Sequence, residues 1–245
     1  MRAFVLALTA GAALSAPARA ADDPKAVVEK AIKAHGGADN LNKYLAHRAT
    51  VKGVIVAMGM ELELKAESVG VYPDKAKMKG SISVGGMDLS LTQIANGGKL
   101  SVKVNGMDIP LDDDRLAEAK AGVYASSLTQ LTPLLKPEFT LKAGGEVAVD
   151  GKPAVGVVVS HKDQKDVTLY FDKESGRLVK VVRKAKDESG TEVDRETVYS
   201  DYKAVDGIQV PHKEVTTMGG TKQQELTVEK YEHLEKVDES EFAID

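Results

Sequence analysis

The chain has 245 residues, 42% hydrophobic and only 4% aromatic, with no cysteine and a formal net charge of −4. The acidic balance argues against a nucleic-acid partner, because phosphate binding draws on a basic surface. The lack of cysteine excludes disulfides, a thiol nucleophile and lipid attachment at a processed N-terminal cysteine, so a hydrophobic core has to stabilise the fold unaided.

Arg2 supplies a positive start, Phe4 to Leu14 form an uncharged apolar run, and Ala18-Arg19-Ala20 places small residues three and one positions before a cut ahead of Ala21. This pattern predicts a cleavable signal peptide over residues 1–20 and an exported mature chain. The run is too short for a membrane-spanning helix, which needs about 20 residues, and no later segment approaches that length. Losing Arg2 and Arg19 takes the formal charge from −4 to about −6. With no low-complexity linker in view, residues 21–245 read as a single domain.

Asp22-Asp23-Pro24 predicts a helix start, with Val27, Val28, Ala31 and Ile32 on one face and Gly36-Gly37 as the stop. Ala38 to Leu45 adds a further turn or two. His35 falls at the helix C-terminus, where a partly charged imidazole would suit the dipole. From Met60, apolar Met60, Leu62, Leu64 and Ala66 alternate with Glu61, Glu63, Lys65 and Glu67, the period of a half-buried strand. Strands follow at about 75–84, 87–95 and 99–104, separated by turn-forming clusters. Asp112-Asp113-Asp114 precedes a run of helix formers, which predicts a helical insert over 113–135, broken near Gly122. Hairpins then resume from Phe139, punctuated by Asp150-Gly151, Ser175-Gly176, Ser189-Gly190, Asp206-Gly207 and Gly219-Gly220. Consecutive twisted hairpins curl into a barrel or half-barrel, so the fold class is mainly β (α+β).

Val84-Gly85-Gly86-Met87-Asp88-Leu89 and Val104-Asn105-Gly106-Met107-Asp108-Ile109 share one pattern, and Ala57-Met58-Gly59-Met60-Glu61-Leu62 is a looser version. In an up-and-down meander these three turns fall at the same end of the sheet. Met58, Met60, Met87 and Met107 would then gather at one rim or gate, where flexible thioethers adapt to acyl chains or to a partner's apolar surface. The plainer reading is that methionine fills gaps beside tight glycine turns. The alternating apolar faces give Leu62, Leu64, Met78, Ile82, Leu89, Leu91 and Val102 as lining residues of an apolar cavity.

Strong catalytic signatures are missing: there is no nucleophile elbow, zinc-protease motif or phosphate-cradling loop. His212 and Glu214 share one face of a strand, and His161 and Asp163 have the same spacing near a hairpin end; either pair could offer metal ligands, but an exposed polar face is the expected reading of both. The Asp112 to Asp114 run lacks the glycine and distal glutamate of a calcium loop. These observations predict a non-enzymatic protein without a metal or other cofactor.

Three segments resemble the LolA-like outer-membrane lipoprotein-sorting family. They are Ala31-Ile32-Lys33-Ala34-His35-Gly36-Gly37-Ala38, then Leu169-Tyr170-Phe171-Asp172-Lys173-Glu174-Ser175-Gly176-Arg177-Leu178-Val179-Lys180, then Tyr199-Ser200-Asp201-Tyr202-Lys203-Ala204-Val205-Asp206-Gly207-Ile208-Gln209-Val210-Pro211-His212. The resemblance implies an antiparallel incomplete β-barrel of about eleven strands, with helices covering a concave face that holds acyl chains. It implies a periplasmic carrier of lipids or lipoproteins towards the outer membrane, with membrane-bound donor and acceptor proteins as partners and no span of its own. In that family an arginine facing the cavity governs lid closure, and Arg48 is the only early arginine of the mature chain. A periplasmic protein-interaction or stress-sensor module on the same fold, without lipid cargo, is the alternative.

Overall fold

A computed structural model describes residues 22–57, 59–187 and 189–244. The signal peptide expected over residues 1–20, and Met58 of the expected rim, lie outside them.

Asp23 caps helix α1 (Pro24–Ala34) by accepting from the Lys25 N–H at 3.2 Å, and Pro24 takes the first helical position. Its buried stripe is Val27, Val28, Ala31 and Ile32, and α2 (Ala38–Lys43) adds Leu41. His35 does end α1, but not as a cation. Its ring is buried, Nδ1–H donates to the Ala31 carbonyl at 2.8 Å and Nε2 accepts from the Leu178 N–H at 3.5 Å. One donor and one acceptor require the neutral ring, and burial lowers its pKa.

Six strands follow as a meander: β1 (Ala46–Ala57), β2 (Met60–Val71), β3 (Lys75–Val84), β4 (Met87–Asn96), β5 (Lys99–Val104) and the two-residue β6 (Met107–Asp108). Helix α3 (Asp113–Ser127) and two 3-10 turns, Leu128–Gln130 and Thr132–Leu135, come next. The second meander is β7 (Phe139–Val149), β8 (Lys152–His161), β9 (Val167–Asp172), β10 (Leu178–Lys186), β11 (Glu192–Val205), β12 (Ile208–Met218) and β13 (Thr221–Leu234). The break expected at Gly122 does not occur. The surrounding alanines carry the helix through that residue, whose cost is only about 1 kcal/mol, and the chain leaves helical geometry at Leu131, with φ of 62°.

All strands join one antiparallel sheet of thirteen, in the order β6-β5-β4-β3-β2-β1-β13-β12-β11-β10-β9-β8-β7. Two strands more than expected are present, and the sheet is not closed into a barrel. Its edges are β6 and β7, which helix α3 separates in sequence. Antiparallel pairing of β1 with β13 joins the two meanders, with Val51 opposite Val228.

The sheet curls strongly. Asp114 and Glu118 of α3 reach Lys186 and Arg183 of β10, while Lys120, Val123 and Tyr124 line a cavity with Ala95 of β4 and Leu100 of β5. A 15-residue helix is about 22 Å long. Seven strand spacings separate β10 from β4, or about 34 Å in a flat sheet. Only a curved sheet brings both to one short helix. Glycine permits close approach where strands bend: a Cβ on Gly53 would lie 1.9 Å from the Glu225 carbonyl oxygen, and one on Gly80 would lie 2.0 Å from that of Lys65.

The main core lies on the inner face of β8–β12, where Val157, Val159, Val167, Leu169, Phe171, Leu178 and Val181 pack under α1, Leu128, Leu131 and Leu134. A smaller cluster occupies the inner face of β1–β4 and β13, with Ala49, Val51, Leu64, Ala66, Leu91 and Val228. On the outer face the C-terminal 3-10 turn Glu239–Phe242 packs against β3 and β4. Phe242 is fully buried there, and its carbonyl accepts from Asn96 Nδ2 at 3.1 Å.

Gly80→Ala forces a Cβ into the Lys65 carbonyl and is expected to destabilise the fold by at least about 2 kcal/mol. A lowered urea midpoint, against no change for Ser81→Ala on the opposite face, checks this.

Candidate functional site

The period-two pattern of β2 to β5 sends Leu62, Leu64, Met78, Ile82, Leu89, Leu91 and Val102 to one side. Cross-strand partners such as Leu64 with Ile82, and Ile82 with Leu89, keep them in adjoining rows. All seven residues expected to line a cavity thus share the inner face. Leu62, Leu64 and Leu91 are buried, whereas Met78, Ile82, Leu89 and Val102 are only half-buried. No residue of β3 is fully buried, in contrast to β9, whose inner row Val167, Leu169 and Phe171 is sealed. Coverage is uneven: α1 lies over β7 and β8, and α3 packs on β10. The inner face of β1–β5 is left as an apolar floor with a partial roof.

Sequence patterning missed Ile55 and Leu226 of the same floor, and Val104, which the alternation of Leu100, Val102 and Val104 in β5 would have given. Val54-Ile55-Val56 is a continuous apolar run without alternation, and β13 is mostly polar with a register shift opposite Thr50 and Val51. Neither strand shows a clean period of two, so only the pairing identifies their inner residues.

Two cavities adjoin at the edge of this floor and share Leu100. One, about 250 Å³, is lined by Pro73, Ala95, Leu100, Val123, Tyr124 and Gln164 among others. The other, about 300 Å³, has Val102, Ile109, Leu111, Leu116 and Ile244 in its wall. Each is near the lower bound of ligand pockets, about 300 Å³. The Tyr124 hydroxyl is buried with no hydrogen-bond partner, and burial pushes its pKa up to about 12.

Met60, Met87 and Met107 follow the β1–β2, β3–β4 and β5–β6 turns, at the same end of the sheet, and are 49%, 67% and 68% exposed. They extend the inner apolar rows to an open rim and fill no gap in the core. Arg48, by contrast, faces outward. Its Nη2 donates to Glu241 Oε1 at 2.9 Å, and Lys77 approaches the same carboxylate at 3.5 Å. It pins the C-terminal turn and has no place at the cavity.

The described structure is similar to a LolA superfamily protein from Nitrosomonas europaea, with a TM-score of 0.56 at 12% identity over 90% of this chain and 97% of that one. The fold is LolA-like. A putative outer membrane lipoprotein-sorting protein domain from Vibrio parahaemolyticus matches with a TM-score of 0.50 at 11% identity, covering 90% and 97% of the two chains. A DUF1329 family protein from Desulfovibrio piger matches with 0.56 at 13% identity, covering 90% and 98%. No family model matches the chain, and no curated protein matches it.

On this LolA-like sheet two inner-face arginines are engaged by helix α3. Arg183 of β10 is nearly buried and forms a two-pronged ion pair with Glu118 of α3, one arm at 2.9 Å, while Arg195 of β11 lies 4.0 Å from the same carboxylate. Lys186 pairs with Asp114 at 2.8 Å. The N-terminal half of α3 is therefore tethered by charge, and its only buried residue, Ala125, belongs to the C-terminal half. His212 and Glu214, expected on an exposed polar face, lie on the inner face instead, in the row Ile208, Val210, His212, Glu214, Thr216, Met218. Burial pushes the Glu214 carboxyl up to about 7. His161 rests on Phe139, with ring centroids 5.0 Å apart, and Asp163 sits in a turn with φ of 62°. Among the described residues no group of three His, Asp or Glu converges as a metal site, and no helix is long and apolar enough to cross a membrane.

His47 stacks on Tyr231 at 5.3 Å, and burial, with the neighbouring His233, lowers its pKa to about 4. A neutral buried imidazole contributes stability that is present above its unfolded pKa of about 6.5 and lost as pH falls towards 4. Glu214 has the opposite sign: its raised pKa favours the fold in acid, and that contribution is lost as pH rises from about 4.5 through 7. His47→Phe is therefore expected to gain on the wild type by about 2–3 kcal/mol as pH drops from 7 to 4. Thermal melts of the two proteins across that range check it, and a pH-independent gap contradicts it.

Proposed function

We propose that the protein is a non-enzymatic periplasmic carrier that holds acyl chains of lipids or lipoproteins against the inner face of β1–β5 and moves them towards the outer membrane. The observation that carries this reading is the half-buried state of Met78, Ile82, Leu89, Val102 and Val104 on a mostly apolar face that Gln93 interrupts. A folded protein gains by sealing such a surface, and one that leaves it part-covered has use for a guest. Burial of an acyl chain gives about 0.8 kcal/mol per methylene, so a dozen carbons gain about 9 kcal/mol before ordering costs. No covalent step and no cofactor are needed.

The likeness to a lipoprotein-sorting domain in fold, and the export pattern of the first twenty residues, support the same reading. Donor and acceptor proteins at the two membranes are the partners it calls for. Ile82→Glu places a charge on the floor and is expected to weaken a neutral fluorescent lipid probe at least tenfold, while outward Lys79→Ala leaves it intact. Lipid extracted from the purified protein and identified by mass spectrometry is the second readout. Absence of both lipid and probe binding overturns the carrier reading.

A protein-interaction module is the second reading, favoured by the exposed Met60, Met87 and Met107. Three protruding thioethers at one end of a sheet form an adaptable apolar contact. Paired Met87→Glu and Met107→Glu substitutions are expected to abolish docking to a partner protein, measured by co-purification from the periplasm, while probe binding on the floor persists. Loss of probe binding instead would make the rim part of the lipid site.

A further inference from the structure

Glu214 is a carboxylate on the inner face of the sheet, and among the described residues it makes no ion pair with the roof. Its cross-strand neighbours are Tyr199 on β11 and Leu226 on β13, and Thr216 and His212 flank it on its own strand. Leu226 belongs to the floor cluster and Tyr199 to the main core. The carboxylate therefore stands between the main core and the smaller cluster of β1–β4 and β13. It is half-buried and keeps some exposed surface.

The groups around it do not neutralise it. Among the described residues Glu214 has neither an ion pair nor a hydrogen bond from another side chain. Tyr202 donates its hydroxyl to the Leu178 carbonyl, and His212 Nδ1 lies 3.0 Å from the Val210 carbonyl. Tyr199, Tyr202 and Tyr231 all have pKa values raised, by burial first and then by the charge of Glu214. The inner-face cations Arg183 and Arg195 are held by Glu118. A carboxylate kept in such a place costs stability unless something supplies its counter-charge.

We infer that Glu214 receives the ammonium group of a cationic or zwitterionic amphiphile whose apolar tail lies across the half-buried Leu226, Ile82 and Leu89. This rests on the carrier reading and adds the chemistry of the polar end. From β12 to β4 the floor crosses five strand spacings, about 24 Å, which accommodates an extended acyl chain. A charge-assisted hydrogen bond formed there is strong because water is scarce.

Displacement of a neutral fluorescent probe by twelve-carbon amphiphiles below their micellar concentrations, at pH 8, tests it. Dodecylamine is expected to displace the probe at least tenfold more effectively than dodecanol or dodecanoate. In Glu214→Gln, and equally in Glu214→Leu, the ratio of amine to alcohol affinity falls to near one. Both variants remove a charge that burial disfavours, so both are expected to melt at or above the wild-type temperature at this pH. Lysophosphatidylethanolamine compared with lysophosphatidylglycerol separates a lipid headgroup from a simple amine as the source. If the wild type shows no amine preference, or the variants keep it, the inference fails while the carrier reading stands. If the neutral probe binds none of the proteins, both fail together.

Discussion

Strands β6 and β7 are neighbours in the chain, separated only by the helical segment, yet they form opposite edges of a thirteen-stranded sheet. The connection between them has to cross the sheet. Curling shortens the crossing and gives the helix an inner face on which to bury its C-terminal end. Glycine at positions such as 53 and 80 lets neighbouring backbones approach closely enough for that curvature. The roof, the groove beneath it and the exposure of the rim all follow from this one topological constraint.

The curvature does not distribute cover evenly. α1 supplies a full apolar stripe, and with the 3-10 turns it seals the inner face of β8–β10 into a core of aliphatic side chains and Phe171. α3 has almost no apolar stripe. Its first half is held by Glu118 and Asp114 to Arg183 and Lys186, contacts that fix a position without excluding water from the floor beside it. Aromatic residues are scarce, at 4% of the chain, so aliphatic side chains make up most of both clusters.

Polar groups on the inner face divide along the same line. Arginines under the roof have a carboxylate partner, and His35 and His47 are neutral and fitted to their surroundings. Among the described residues Glu214 has no side-chain partner, and neither do the buried Tyr124 hydroxyl and His233 Nε2. Buried ionisable groups without partners are costly and concentrate where a ligand completes them. On the outer face, Arg48, Lys75 and Lys77 instead hold the C-terminal turn through Glu239 and Glu241.

Local physics made much of this legible in the residues. The Asp23-Pro24 start of α1, the alternation of β2, the bounds of β3 and β5 and the common end of the three methionine turns each depend on neighbours within a few positions. So does the inward row from Leu62 to Val102, because a period of two assigns faces without knowledge of the partner strand. The LolA-like character was carried by hairpin patterns, which specify strands and turns but not their number, and the sheet has thirteen and not eleven. What the tertiary structure alone decided was orientation and cover: that Arg48 points outward, that His212 and Glu214 point inward, that Gly122 stays helical, and that α3 leaves the floor half open. Each of these depends on which distant element lies opposite. An alternating row defines two faces but does not say which one the fold will close.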